Sequence, residues 1–383
     1  MSDQLTEVYA SIDALVDYAL DHLDLDPRNA DWTRNQIFAL FHLDSYPGPK
    51  TTTSAASVSD AVQDIVGSRS QAPSDEKTPD PLLAAFRAAA TTAGLFDPEE
   101  GPAYADTIMG ILSANPADLD DRFLLIEHRD GGMAAMQWFY DYCVANNYVK
   151  RAQLDRNPRF DSHGLTVTIN LAKPEFKNMK KAAAGNAVSG GYPKCTICHE
   201  NEGFAGRDKR TLRTLPVTLG GESWFWQFSP YGYFDQHGIC VNTDHTPMHV
   251  DRDTFGHLLD FVDRFPGYFL GCNAALPRIG GSVLAHDHYQ GGGELLPMHK
   301  AATWAAFTLA DYPDAVVESL TGPAPPCAWC RRVARASSTY PTSSARHGSV
   351  MTTRRTASPA MTRMATANPP SRPARSSPNA AMR

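Results

Sequence analysis

The chain has 383 residues, 42% of them hydrophobic and 20% charged, with a formal net charge of −7. These are the values of a soluble globular protein long enough for one large or two smaller domains with a full core. No run of 18 apolar residues offers a membrane span. Seven cysteines, an odd number, fit no secreted disulfide framework. Met1-Ser2-Asp3-Gln4 lacks the basic and apolar regions of a secretory signal, so reduced thiols and a cytoplasmic location are expected.

Apolar residues at 5, 8, 9, 12, 15, 16, 19, 20 and 23 keep the spacing of a helix with one buried stripe. A second helix is expected over 30–42. The polar, Ser/Thr-rich passage 50–81 reads as a loop or interrupted turns. Helices resume over 81–93 and 104–113. After the Gly131-Gly132 breaker, Met133, Met136, Tyr140, Cys143 and Val144 again keep helical spacing. Residues 1–150 therefore form a mainly helical region. At 164–171 apolar and polar residues alternate strictly and β-branched types dominate, the pattern of a half-buried strand. The basic passage 173–194 reads as a solvated connection. Further strands are expected at 213–219, 223–228, 238–243, 268–273 and 282–290, with a helix over 253–265. The fold class is α+β, with an antiparallel sheet in a catalytic region spanning 151–320.

Residues 321–383 differ in composition from all that precedes them. They contain ten arginines and no lysine, acid, Leu, Ile or Phe, which leaves −17 for residues 1–320. Such a segment cannot bury enough apolar surface to offset its ordering entropy, and a disordered tail is expected. Clustered arginine admits a nucleic-acid-binding arm. Arginine without lysine, starting abruptly, favours instead a GC-rich gene read out of frame from near Leu320, and no nucleic-acid partner is expected. Cys327 and Cys330 lie in this tail and read as accidental.

The passage His286-Asp287-His288-Tyr289-Gln290 lies between Gly280-Gly281-Ser282 and Gly291-Gly292-Gly293. On an extended strand His286, His288 and Gln290 would project to one face and Asp287 and Tyr289 to the other. Glycines beside such a strand let backbone amides approach an anionic group. A histidine pair in a strand is commonly structural, but two histidines and a glutamine between two glycine clusters favour phosphorus chemistry with a histidine nucleophile. Cys195-Thr196-Ile197-Cys198 has the spacing that lets two thiolates share one tetrahedral ion. His199, His245 and His286 are candidates to complete it, against the alternative of two reduced cysteines in a loop.

Three ordered motifs resemble the galactose-1-phosphate uridylyltransferases, specifically the second type found mostly in bacteria, of the histidine-triad superfamily. They are Gln227-Phe228-Ser229-Pro230-Tyr231, then Asn242-Thr243-Asp244-His245, and Gly280-Gly281-Ser282 through His286-Asp287-His288-Tyr289-Gln290-Gly291-Gly292. The likeness extends more weakly over residues 1–320 and stops there, where members of the family continue. The resemblance implies a histidine-triad-like sheet and transfer of UMP from UDP-glucose to galactose 1-phosphate through a uridylyl-histidine. It implies His288 as nucleophile and Gln290 as a donor to a phosphoryl oxygen, where hydrolytic relatives carry a third histidine. It implies Ser282 and Asn273 as phosphate contacts, although the spacing from Asn273 departs from the first type. The first type holds a structural zinc through positions matching Cys195, Cys198, His245 and His286. A homodimer without membrane association is the expected state. Two other readings remain open at this point: a dinucleoside polyphosphate phosphorylase-like transferase, and an inactive remnant that binds only nucleotide or zinc.

Overall fold

The computed structural model describes residues 2–48, 78–163, 165–171, 191–275, 283–321, 329–334 and 350–351. They fall into two compact units, the first running to Ala301 and the second containing the described strands beyond it. The expected boundary at residue 150 falls inside the first unit.

That unit begins with helices α1 (Ser2–His22), α2 (Ala30–Leu40), α3 (Asp80–Thr92), α4 (Gly101–Leu112), α5 (Pro116–Asp130), α6 (Gly132–Ala145) and the single turn α7 (Arg151–Leu154). The α1 stripe is buried as the spacing requires, with Val8, Ile12, Leu15, Val16, Ala19 and Leu23 all at 0% exposure. Each large side chain so buried contributes about 1.5–3 kcal/mol. The passage expected to be a loop at 50–81 lies outside the described residues except at 78–81, where α3 begins.

Helix α5 was not foreseen, because its acidic composition masks a short stripe of Leu119, Phe123 and Ile126. Its local signals are nonetheless present. The Asn115 side chain accepts from the Asp118 amide at 3.1 Å, Pro116 takes the first helical position, and Gly131 stops the helix at a φ of 90°. That φ suits glycine and lets the chain turn directly into α6. Helix α6 joins the two hydrophobic clusters of the unit. Tyr142 and Ala145 face the helical cluster, while Met136, Phe139, Tyr140, Cys143 and Val144 face the one under the sheet.

The sheet contains β3 (Leu215–Leu219), β4 (Glu222–Phe228), β5 (Gly238–Asn242), β6 (Phe269–Cys272) and β7 (His288–Gly292). It is antiparallel throughout in the order β3-β4-β5-β7-β6. Helix α8 (Arg252–Arg264) opens with a capping box between Asp251 and Thr254. Its Phe261, with Phe265 just beyond, enters the cluster under Trp224, Trp226, Phe228, Cys240, Leu270 and Tyr289. One sheet face is thereby committed to the core. The short helix α9 (Pro297–Lys300) ends the unit.

A separate hairpin pairs β1 (Arg159–Ser162) with β2 (Leu165–Thr168). The half-buried strand expected at 164–171 is corrected here, since Leu165, Ile169 and Leu171 are exposed by 51%, 45% and 65%. Alternation fixes which side chains share a face, not whether anything covers it.

The second unit is a ladder of β8 (Thr303–Leu309), β9 (Tyr312–Leu320), β10 (Trp329–Ala334) and β11 (Val350–Met351), in the order β11-β10-β9-β8. Two stretches of the tail expected to be disordered are thus paired, β10 against β9 from Trp329↔Leu320 to Ala334↔Ala315 and β11 against β10. Backbone hydrogen bonding does not depend on the apolar content from which disorder was read. The rest of 322–383 lies outside the described residues. No helix among those described is long and apolar enough to cross a membrane.

Candidate active and metal-binding site

Strand β7 sits between β5 and β6, paired Val241↔His288, Cys240↔Tyr289 and Ile239↔Gln290 on one side and Gly271↔Gln290 on the other. Alternation sends His288 and Gln290 to the face away from the core. Tyr289 goes to the core face, where its ring stacks on Trp224 at 4.7 Å and 14° and its hydroxyl lies 3.0 Å from His257 Nδ1.

His286 departs from the expected geometry. The strand begins at His288, not at 282, because the His286 amide donates to the Val283 carbonyl at 3.1 Å and closes a turn. His286 therefore leaves the His288–Gln290 face and aims Nδ1 at the cysteine pair. The glycines after the motif also have a different task. A Cβ on Gly291 would lie 2.1 Å from the Phe269 carbonyl oxygen, and one on Gly292 would lie 2.7 Å from that of Asp235. They let neighbouring backbone close on β7.

His288 is 3% exposed. Its Nδ1 lies 2.8 Å from the His286 carbonyl oxygen. A carbonyl only accepts, so Nδ1 carries the proton and Nε2 keeps its lone pair. Burial holds this imidazole below its ordinary pKa, partly offset by that hydrogen bond, and the ring is neutral at pH 7. Gln290 Oε1 lies 3.2 Å from His237 Nε2. Next to His288, Asp287 is fully buried and its carboxylate oxygens take no hydrogen bond among the described residues. His249 Nδ1 stands 3.6 Å away, and burial raises the Asp287 pKa.

Cys195, Cys198, His245 and His286 come together with all ligand atoms within 4.8 Å of one another. The sulfurs are 3.3 Å apart, Cys195 Sγ is 3.3 Å from His286 Nδ1, and Cys198 Sγ is 3.1 Å from His245 Nδ1. Both cysteines are free thiols. His286 Nε2 donates to the Asn242 carbonyl at 2.7 Å, which leaves Nδ1 as the lone-pair donor. The fully buried Asn201 amide donates to both cysteine carbonyls at 2.8 Å and shapes their loop. Burial pushes the Cys195 thiol up to about 12 and His286 down to about 4. A cation would reverse the first shift by stabilising thiolate. This donor set can hold a metal ion. Of the other sequence candidates, His199 turns instead toward Glu202, 3.5 Å away, and Phe225.

Asn273 stands one residue past the Cys272↔Tyr289 pair, at the strand end beside His288, and its side chain makes no hydrogen bond to His288 or Gln290. Ser282 lies outside the described residues. His237, Asn242 and Asn201 were missed in the sequence. Only Asn242 fell within a motif, and it acts through its backbone carbonyl, which residue type does not reveal.

The chain matches the model of the galactose-1-phosphate uridyl transferase N-terminal domain over residues 70–247, a range that holds Cys195, Cys198 and His245. It is 96% identical over 323 residues to a galactose-1-phosphate uridylyltransferase of Bifidobacterium longum subsp. longum, covering 84% of this chain and 63% of that protein. Proteins of the same name from Butyrivibrio fibrisolvens and Fusobacterium nucleatum are 35% and 32% identical, over 79% and 80% of this chain and 75% and 58% of their own lengths. The chain thus spans 63% of the Bifidobacterium relative and 58% of the Fusobacterium one. No solved structure matches it. With the ordered motifs and the 35% identity that reaches across 75% of the Butyrivibrio protein, the chain belongs to the galactose-1-phosphate uridylyltransferase family.

Proposed function

We propose that this chain moves UMP from UDP-glucose to galactose 1-phosphate through a uridylyl group carried on His288. The observation that carries this reading is the hydrogen bond from His288 Nδ1 to the His286 carbonyl, which presents Nε2 as a neutral nucleophile. In the first half-reaction the Nε2 lone pair attacks the α-phosphorus of UDP-glucose. A P–N bond forms, the P–O bond to the β-phosphate breaks, and glucose 1-phosphate leaves with the electron pair. Because Nδ1 keeps its proton, the uridylylated ring is cationic, and the His286 carbonyl then accepts a charge-assisted hydrogen bond worth about 1.5–3 kcal/mol. In the second half-reaction a phosphate oxygen of galactose 1-phosphate attacks the same phosphorus. The P–N bond breaks toward His288, and UDP-galactose forms. Neither step needs a proton from Gln290, whose amide donates to a phosphoryl oxygen without acting as an acid or base.

Ser282 and Asn273 are assigned as phosphate contacts in the same reading. Cys195, Cys198, His245 and His286 would hold zinc. The edges of a tetrahedron around zinc with bonds of 2.0–2.3 Å are roughly 3.3–3.8 Å, close to the observed separations. Four protein donors leave no open position, so the ion would supply a structural cross-link between the 195–198 loop and the entry to β7. A cytoplasmic location fits the free thiols among the described residues.

Intact mass spectrometry after incubation with UDP-glucose tests the proposal. An adduct of about 306 Da on His288, discharged by galactose 1-phosphate, is the expected result. An adenylyl adduct formed only from a diadenosine polyphosphate would move the assignment to a phosphorylase-like transferase. No adduct from either donor on folded protein would reduce the chain to a binding remnant.

A further inference from the structure

Gln290 faces a choice that its own chemistry cannot make. A glutamine amide presents an acceptor at one end and two donors at the other, in nearly the same shape. Only the NH2 end helps a phosphoryl group; the oxygen would repel it. What fixes the choice is the neighbour of Oε1. We propose that His237, on the approach to β5, is a positioning residue that receives Gln290 Oε1 on its Nε2–H and so turns the Gln290 NH2 toward the phosphoryl oxygens of the nucleotide. This assignment rests on the reading of His288 and Gln290 given above.

Three observations support it. The two atoms are 3.2 Å apart, and with the His237 proton on Nε2 the flipped amide would set an N–H against an N–H. The His237 ring is 7% exposed and confined by Phe234 at 4.2 Å and Tyr233 at 4.8 Å between centroids. The backbone around it is fixed as well. The Ser229 amide donates to the His237 carbonyl at 2.8 Å, and a Cβ on Gly232 would come 2.6 Å from that of His237, so the loop closes tightly there. His237 directly precedes Gly238, and Ile239 pairs with Gln290, so the sheet register carries the ring to the amide. Donation into Oε1 also polarises the amide and strengthens its NH2 as a donor. The neutral Nε2–H tautomer suffices, so the device needs no change of charge.

The test is single-turnover formation of the His288 adduct across a UDP-glucose series, followed by intact mass, using the whole chain. His237→Phe keeps an aromatic ring and loses the donor. It is expected to lower the maximal rate roughly 10- to 100-fold, as loss of an outer hydrogen-bonding partner does elsewhere. The half-saturating UDP-glucose concentration should stay within about two-fold, because a transition-state donor is being aimed. His237→Gln, which restores an N–H donor, should recover most of the rate. In a Gln290→Met background His237→Phe should cost nothing more. His237→Leu, read beside near-ultraviolet circular dichroism, provides a second donorless variant should the Phe variant not fold. Losses that multiply in the double variant, or a maximal rate that His237→Phe leaves unchanged, would overturn the assignment while the uridylyl reading stands. Absence of any adduct on the unaltered chain would remove both.

Discussion

Tyr289 lies between His288 and Gln290 in sequence but on the opposite face of the sheet, so its replacement should separate stability from chemistry. The ring is 1% exposed, stacks on Trp224, and places its hydroxyl 3.0 Å from His257 Nδ1. Tyr289→Phe keeps the ring and strips the imidazole of a buried partner, at a cost of about 1–2 kcal/mol. Tyr289→Ala also opens a ring-sized cavity, for about 3–5 kcal/mol, and the lost stacking contributes about 0.5–1.5 kcal/mol of that. Urea unfolding followed by tryptophan fluorescence reads both, since Trp224 is the stacking partner. Adduct formation on His288 from UDP-glucose, measured below the unfolding transition, should remain within roughly two-fold for Tyr289→Phe. If that variant kept its stability and lost the adduct, the division of β7 into a chemical and a structural face would be wrong.

Cys198→Ser should abolish metal retention, so that elemental analysis falls from about one zinc per chain to near none and the melting temperature drops. Unaltered protein that carries no zinc after growth with zinc would refute the assignment. Gly238→Ala would set a Cβ 2.2 Å from Trp226 Cζ2 and 2.8 Å from the Gln227 carbonyl oxygen. Overpacking of this kind costs about 1–3 kcal/mol, and a thermal melt matching the unaltered chain would show that the strand yields freely. Asp120 has a buried oxygen without a hydrogen bond among the described residues, and burial, reinforced by Glu202, pushes it up from 3.8 to about 6. Its folded value exceeds its unfolded one, so the folded chain gains a proton first as pH falls. Stability is gained as pH drops from about 6 toward 4 and is missing above it. Asp120→Asn should therefore stabilise by about 1 kcal/mol at pH 8, after allowing for solvent screening, and by about half that at pH 5. Equal effects at both pH values in chemical unfolding would contradict this.

Much of the element list was legible because its signals are local. The 3.6-residue stripe of α1 and the short apolar and aromatic runs of β3 to β6 act through neighbours a few positions away. Helix α5 escaped because its stripe is short and its composition acidic, although its caps were written in Asn115, Pro116 and Gly131. The hairpin was found only in part, since exposure of Leu165 depends on what lies over it. In the site, the split between His288 and Tyr289 followed from strand alternation alone. The grouping of Cys195, Cys198, His245 and His286 came from resemblance rather than spacing, and the fold brings those donors within 4.8 Å of one another.

By itself the sequence determined most helices of residues 1–150, helix α8, strands β3 to β6 and the order of the reactive residues, because periodicity, capping and alternation are settled within one or two turns of chain. Tertiary structure decided which of those residues meet. Cys195 reaches His286 across 91 residues and His237 reaches Gln290 across 53, and both contacts depend on how β5 and β7 pair. It also turned His286 away from the strand face through a turn at Val283. Register and turn closure arise from the packing of the whole sheet on α6 and α8, and no window of sequence contains that information.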